Sequence, residues 1–482
     1  MLFRPHLALT HPVLRLAVLA LMAGTRVWAQ GAAQTTAAPA PKPQPSFQVE
    51  QRGYGLRPES EPPRYVRPAN KTGLPGFEDL DWLDVGLELR TRFEHHDNDY
   101  RRQVSVVDDF VLWRTRLYLG VREGLGPLRL AVELVDSRRS GGQFPPDERD
   151  MNLTEPIQAY AELYFAAGAG KGRPVSIKAG RQAFEYLDRR LLARNEWRNT
   201  SNTFDGLRGT VGRASNAWQL DVLALRPVRR LLSGLDQPDD TQWLAGAILD
   251  LRRWSRVATL QPYVLHLSQD VTRATVRTDR DIPTVGVRAF GLVGRTGVDW
   301  DVDLAAQSGE DRPRRHRASA FVVEGGYSPK HPWKPRFSTN HTHASGDRNP
   351  ADLASNRFER LFGFARPFSA SDYIQWENLR AQKVRVELTP TPALRIDAGW
   401  SAYWLASATD RWNVAGLRDP SGRSGTHMGN EFDVRVRFPV TPRVGVNIGY
   451  ARFAPGEFTR TVSGRTAPSH IPYVEVTLNA FR

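Results

Sequence analysis

WLDVGLELRTRFE, residues 82–94, decides the fold. Leu83, Val85, Leu87, Leu89 and Phe93 fall on one parity, and Asp84, Glu88, Arg90, Arg92 and Glu94 on the other. A helix would mix the two sets, whereas a strand separates them onto opposite faces. The same alternation returns along the chain. Trp113, Thr115, Leu117, Leu119 and Val121 oppose Arg114, Arg116, Tyr118 and Arg122; Val298, Trp300, Val302 and Leu304 oppose Asp299, Asp301 and Asp303. Leu394, Ile396, Ala398, Trp400 and Ala402 oppose Arg395, Asp397 and Ser401, and Phe432, Val434, Val436 and Phe438 oppose Glu431, Asp433, Arg435 and Arg437.

About 18 such segments follow one another, starting near residues 82, 109, 128, 156, 174, 204, 217, 241, 257, 283, 297, 318, 334, 376, 393, 427, 442 and 471. Their connections alternate in length. Eight are short, such as 123–127, 212–217 and 439–442. The other nine are expected to be long and polar, such as 95–108, 137–154, 184–203, 341–375 and 405–426. This is the pattern of antiparallel strands joined up and down, with both ends on one side.

Physics chooses between two all-β readings. A soluble sandwich would bury its apolar face between two sheets, and no packed core accepts Asp299, Asp301 and Asp303 on one face without large desolvation costs. An outer-membrane barrel turns the apolar face to lipid and the charged face to water, with short periplasmic turns and long outer loops. Closure leaves no unpaired edge in hydrocarbon. The reading is therefore all-β: a transmembrane antiparallel up-and-down β-barrel of about 18 strands in a bacterial outer membrane. Trp113, Trp218, Trp243, Trp300, Trp400 and Trp404 are placed to flank its lipid band.

The composition agrees. The 482 residues carry a net charge of +14, 24% are charged and none is Cys. That excludes disulfides, thiolate metal sites and a cysteine nucleophile. Beyond residue 30 no apolar run approaches the roughly 18–20 residues of a membrane helix. Arg4 and Arg15, the apolar run from Leu16 to Met22 and the small-x-small pattern Val27-Trp28-Ala29 predict a signal peptide over residues 1–29. An exported chain argues against a nucleic-acid partner despite its basic charge. Residues 30–80 read as a periplasmic segment whose start, 31–45, is an Ala/Pro-rich linker, and 81–482 as the barrel.

A barrel of this size encloses an aqueous channel, so the inward parity carries the function. Its candidate cations are Arg90, Arg92, Arg114, Arg116, Arg122, Arg129, Lys178, Arg208, Arg288, Lys383, Arg385, Arg395, Arg435 and Arg437. Candidate anions, among them Glu88, Glu133, Asp299, Asp301, Asp303, Asp397 and Asp433, nearly balance them. Two arrangements fit: mixed ion pairs solvating a wide pore, or a segregated Arg track that draws anions through many weak bidentate sites. Arg114/Arg116 and Arg435/Arg437, repeated two apart, fit the track best. Arg138, Arg139, Arg312, Arg314 and Arg315 are assigned to outer loops, where lipopolysaccharide phosphates are the rival ligand.

Signals for chemistry are poor. His341 and His343 share a strand face, and the Asp299/Asp301/Asp303 ladder offers carboxylates to a cation, but neither makes a metal-ligand set. Gly291 to Gly297 lacks phosphate-loop spacing and reads as a turn. No enzyme, no metal and no cofactor is expected.

Residues 179–211 then add a resemblance. A strand ending in Gly180, Arg181 and Gln182 leads into a loop with Arg198 and Asn199 and returns through Phe204, Asp205, Gly206 and Arg208. This resembles the alginate-export family of outer-membrane barrels over roughly 81–482. The resemblance implies a monomeric 18-stranded porin that passively exports an acidic, alginate-like polyuronate through an Arg-lined lumen, with Arg181 joining the pathway. The alternative within the same fold is a general or small-anion uptake porin. The implied partners are the anionic polysaccharide, outer-membrane lipid and lipopolysaccharide, and periplasmic synthesis or export components. Family members carry a mobile periplasmic gating loop; the turn 439–442 has no room for one. Residues 137–154 are the expected inward-folding loop instead.

Overall fold

The computed structural model describes residues 60–481, apart from 256 and 272–278. The leader and the Ala/Pro-rich linker lie outside the described residues. Eighteen antiparallel strands form the wall. They are β1 Leu83–Asp97, β2 Val107–Val121, β3 Leu128–Gly141, β4 Asn152–Phe165, β5 Val175–Gln182 and β6 Phe204–Val211. Next come β7 Trp218–Arg229, β8 Gln242–Leu251, β9 Thr259–Gln269, β10 Arg280–Leu292, β11 Val298–Asp311 and β12 Arg314–Tyr327. The last six are β13 Arg336–Ala344, β14 Leu379–Leu388, β15 Arg395–Trp404, β16 His427–Pro439, β17 Val444–Pro455 and β18 Ser469–Asn479. β18 pairs back onto β1, Phe93 opposite Val474 and Glu88 opposite Asn479, so the cylinder closes.

The parity expected from the sequence holds around the ring. Leu89, Phe93, Leu117, Leu119, Leu304, Val384, Phe432 and Val476 are large, apolar and exposed, as a lipid-facing belt requires. Arg90, Arg92, Arg114, Arg116 and Glu133 are buried inside. Trp218 and Trp300 lie near the short-turn ends of their strands, and Trp243 and Trp404 near the long-loop ends. Trp113 and Trp400 instead sit mid-strand, exposed within the apolar band.

Three features depart from the sequence reading. The connection between β11 and β12 is only Arg312–Pro313. β12 runs above the apolar band, where its outward residues are Arg315 and Arg317, so a search for apolar alternation starts the strand too late. Arg138, Arg139, Arg314 and Arg315 accordingly lie on strands, and Arg139 is buried between Asp108 and Asp150, at 2.8 and 2.7 Å. The interior is also not wholly ionic. Leu223, Leu225, Leu244, Leu265 and Leu267 of β7–β9 point inward and are buried against Phe358, Phe368, Tyr373 and Trp376. These strands are apolar on both faces, so period two alone does not mark which side is wet.

Residues 60–82 precede the wall. Val66–Pro68 forms a short strand antiparallel to Gly86–Asp84, at the short-turn rim of β1. One seven-residue helix, α1 Glu457–Ser463, lies in the connection between β17 and β18.

Candidate functional site

The lumen is crossed by two connections that fold inward: residues 183–203 after β5, and 345–378 after β13. They meet in the interior. The Phe362 amide donates to the Leu191 carbonyl at 3.0 Å, Ala193 to Phe362 at 3.2 Å, and Phe364 to Arg189 at 2.9 Å. Residues 142–151 pack onto the first of them, where the Asn199 amide donates to the Arg149 carbonyl.

The family motif explains how the first loop leaves the wall. Gly180 and Gly206 stand directly opposite each other on β5 and β6. Their φ values are +124° and +148°, and a Cβ on either would lie 2.3 Å from a neighbouring carbonyl oxygen. Only glycine takes that backbone there. Phe184 then stacks on Phe204 with centroids 4.9 Å apart, turning the chain inward.

The expected Arg track turns out to hold this loop. Arg90 donates to the carbonyls of Glu196 and Arg198 at 2.8 and 2.9 Å. Arg92 donates to the Trp197 carbonyl at 2.6 Å and lies 3.9 Å from the Trp197 ring centroid. Arg114 and Arg116 both reach the Glu196 carboxylate, and Arg114 also donates to Glu88 at 3.1 Å. Six residues earlier, Arg190 pairs with Asp301 and Asp303 of β11, at 3.3 and 3.2 Å. β1 and β11 lie on opposite sides of an 18-strand ring, so this loop spans the lumen. The second loop is held through its backbone. Glu431 accepts from the Ala370 and Ser371 amides at 2.7 and 3.1 Å, and Lys383 donates to the Pro367 carbonyl at 2.5 Å.

The other predicted lining residues are also matched to carboxylates. Arg288 binds Asp301, and Arg385, Arg435 and Arg437 converge on Asp397 at 2.7, 3.1 and 3.0 Å, while Arg336, which the sequence reading did not name, binds Asp299 at 2.8 Å. The Asp299/Asp301/Asp303 ladder is thus filled by guanidinium groups. Arg395 faces inward near the short-turn rim, one strand from Arg437. Arg129 lies at the same rim, 3.4 Å over the Tyr164 ring. Arg208 faces inward and binds Glu61. Arg181 departs from the expectation. It shares parity with Ile177, which is exposed on the outer face, and it pairs with Asp205 at 2.8 Å and with Glu155 at 2.5 Å. The motif's Arg181–Asp205 pair is a cross-strand clamp on the outside of the wall. His341 and His343 are outward too, and Gln382 bonds His341.

Above the crossing loops opens a vestibule of about 1050 Å³ on the long-loop side. Arg149, Arg198, Arg280, Arg314 and Arg357 line it, each within ion-pairing distance of a carboxylate. Arg229, Arg360, Arg411 and Arg418 line it with no carboxylate at ion-pairing distance among the described residues. Burial by itself would raise the Asp147 carboxyl, but the Arg149 hydrogen bonds and charge bring it to about 2, so this acid stays ionised. The four available guanidiniums are planar, permanently charged and able to grip carboxylates in pairs. Sequence reading missed them because all lie at strand ends or in loops. The available signal was composition: 345–378 holds Phe358, Phe362, Phe364, Phe368, Tyr373 and Trp376, too aromatic for a solvated loop.

Comparisons with known proteins follow this geometry. Similar solved structures include three from Pseudomonas aeruginosa. OpdK, determined with vanillate, superposes with a TM-score of 0.55 at 14% identity, covering 82% of this chain and 98% of that one. OccK3 (OpdO) gives 0.53 at 14%, with 82% and 95% covered. OccD3 (OpdP) gives 0.54 at 10%, with 82% and 90% covered. At such identities the likeness is one of fold. No curated protein matches in sequence. The family profile described as alginate export matches residues 81–471, nearly the whole barrel. The chain is a channel-forming barrel of the outer membrane rather than an enzyme, and it belongs to the alginate export family.

Proposed function

We propose that this porin passively exports an acidic, alginate-like polysaccharide, with the cationic vestibule as the exit end of its path. The observation that carries the reading is the set of four guanidiniums, Arg229, Arg360, Arg411 and Arg418, around one open vestibule. No bond is made or broken. Successive uronate carboxylates exchange hydration and counterions for weak Arg contacts, and several weak sites permit passage without trapping. The ionic mesh below keeps the crossing loops in place, so cargo passes beside anchored loops.

The second reading is uptake of a small carboxylate, favoured by the likeness to OpdK, whose structure was determined with vanillate. Efflux from proteoliposomes separates the two. Export predicts release of fluorescent alginate oligomers through the reconstituted protein and retention of neutral dextran of equal length. Retention of the oligomers with free passage of small benzoates would support uptake.

A further inference from the structure

Lys178 of β5 and Arg208 of β6 stand directly opposite each other, both facing the lumen near its periplasmic mouth. Like charges in direct register are destabilising, so this position calls for an anion. Glu162 of β4 is opposite Lys178, yet the salt bridge it forms is with Arg129, at 3.9 Å. The anion present comes from the N-terminal segment. The Glu61 carboxylate accepts from Lys178 at 2.5 Å, and both of its oxygens lie 2.6 Å from Arg208 Nη2.

Downstream of Glu61 the segment is anchored by Tyr65 and Val66, buried with Tyr118 and Ala131, whereas the Glu61 side chain itself is 38% exposed. Its neighbour Tyr65 lies in the lumen against Gly86, where a Cβ would come within 2.7 Å of the Tyr65 ring, and its hydroxyl donates to Glu133. Beyond that, a three-residue strand attaches it to the rim of β1.

We propose that Lys178 and Arg208 form a carboxylate-binding subsite at the periplasmic mouth, and that Glu61 occupies it as a resident stand-in until a polyuronate carboxylate displaces it. While Glu61 is seated, the segment that carries it plugs the mouth; the identity of the displacing ligand rests on the export reading above, and the plug does not. Exchange replaces carboxylate by carboxylate, so the two cations are never left bare. A tethered group competes at an effective concentration of roughly millimolar. A single uronate therefore competes poorly, whereas a polymer presenting many carboxylates displaces Glu61 and feeds its chain end inward.

The test uses the full chain in planar bilayers, with folding of each variant checked by its unheated gel mobility. Glu61→Gln is expected to conduct several-fold more than wild type without polymer. In wild type, alginate oligomers on the periplasmic side are expected to raise the current and to speed tryptic cleavage at the Arg64–Tyr65 bond. The cleavage assay needs no substitution, and neutral dextran is the control. A folded Glu61→Gln barrel with wild-type conductance, together with cleavage unmoved by oligomers, overturns the proposal. An open Glu61→Gln barrel with a wild type indifferent to oligomers keeps the plug and defeats the export reading.

Discussion

The Tyr65 hydroxyl and the Arg194 guanidinium donate to the same oxygen of Glu133, at 2.9 and 2.6 Å. One carboxylate thus joins the N-terminal segment at the periplasmic mouth to the loop that crosses the lumen. Both donors are buried; without Glu133 the Tyr65 hydroxyl loses its acceptor, while Arg194 still pairs with Glu196 at 2.6 Å. Glu133→Ala is expected to cost roughly 1–3 kcal/mol and to raise conductance by loosening both segments. Thermal melting in detergent and single-channel recording check the two halves together.

The crossing of the two loops depends on one missing side chain. A Cβ on Gly363 would lie 1.9 Å from the Arg190 carbonyl oxygen. Gly363→Val is expected to separate the loops while the barrel wall still forms. Limited proteolysis should then cut within 183–203 or 345–378, with unheated gel mobility unchanged.

Glu61 gives the plug a pH signature. Burial opposes ionisation, but Arg208 and Lys178 outweigh it and hold the carboxyl well below the usual range. A depressed pKa contributes stability above the unfolded value, and that contribution is lost only as pH falls through the folded value. The side chain is 38% exposed, which tempers the size of the effect. Lowering the periplasmic-side pH from 7 to 5 is therefore expected to leave the plug seated. Conductance that rises over this range would place the latch elsewhere.

The tasks proposed for the two groups of arginines differ, and substitution separates them. Replacing Arg229, Arg360, Arg411 and Arg418 with Ser is expected to lower anion preference while leaving melting nearly unchanged. Replacing Arg114 and Arg116 with Ser should instead lower the melting temperature and increase channel noise, because the Glu196 carboxylate loses two of its three guanidinium partners and keeps only Arg194 among them. Reversal potentials and melting curves on the same preparations check both.

Much of this was legible in the sequence. Alternation over Leu83–Arg92 and its later copies fixed the fold, because a strand inserted in lipid must show each solvent its own parity. The inward placement of Arg90, Arg114, Arg385 and Arg435 follows from the same rule. What those residues bind does not. Parity says which way a side chain points, and Arg90 looks the same whether it faces water or the Glu196 carbonyl. Arg181 shows the opposite failure, since its motif suggested the lumen while its register with Asp205 puts it outside. Glu61 sits in a segment with no period to read, 117 residues from the lysine it meets.

The central claim is that the interior selects anions and accepts a polyuronate. The reversal potential across a salt gradient in planar bilayers, measured before and after adding alginate oligomers to the periplasmic side, tests it most directly. The account predicts a potential of the sign given by anion preference and a current altered by the oligomers and not by neutral dextran. A potential of the opposite sign, with the current indifferent to the oligomers, would contradict it.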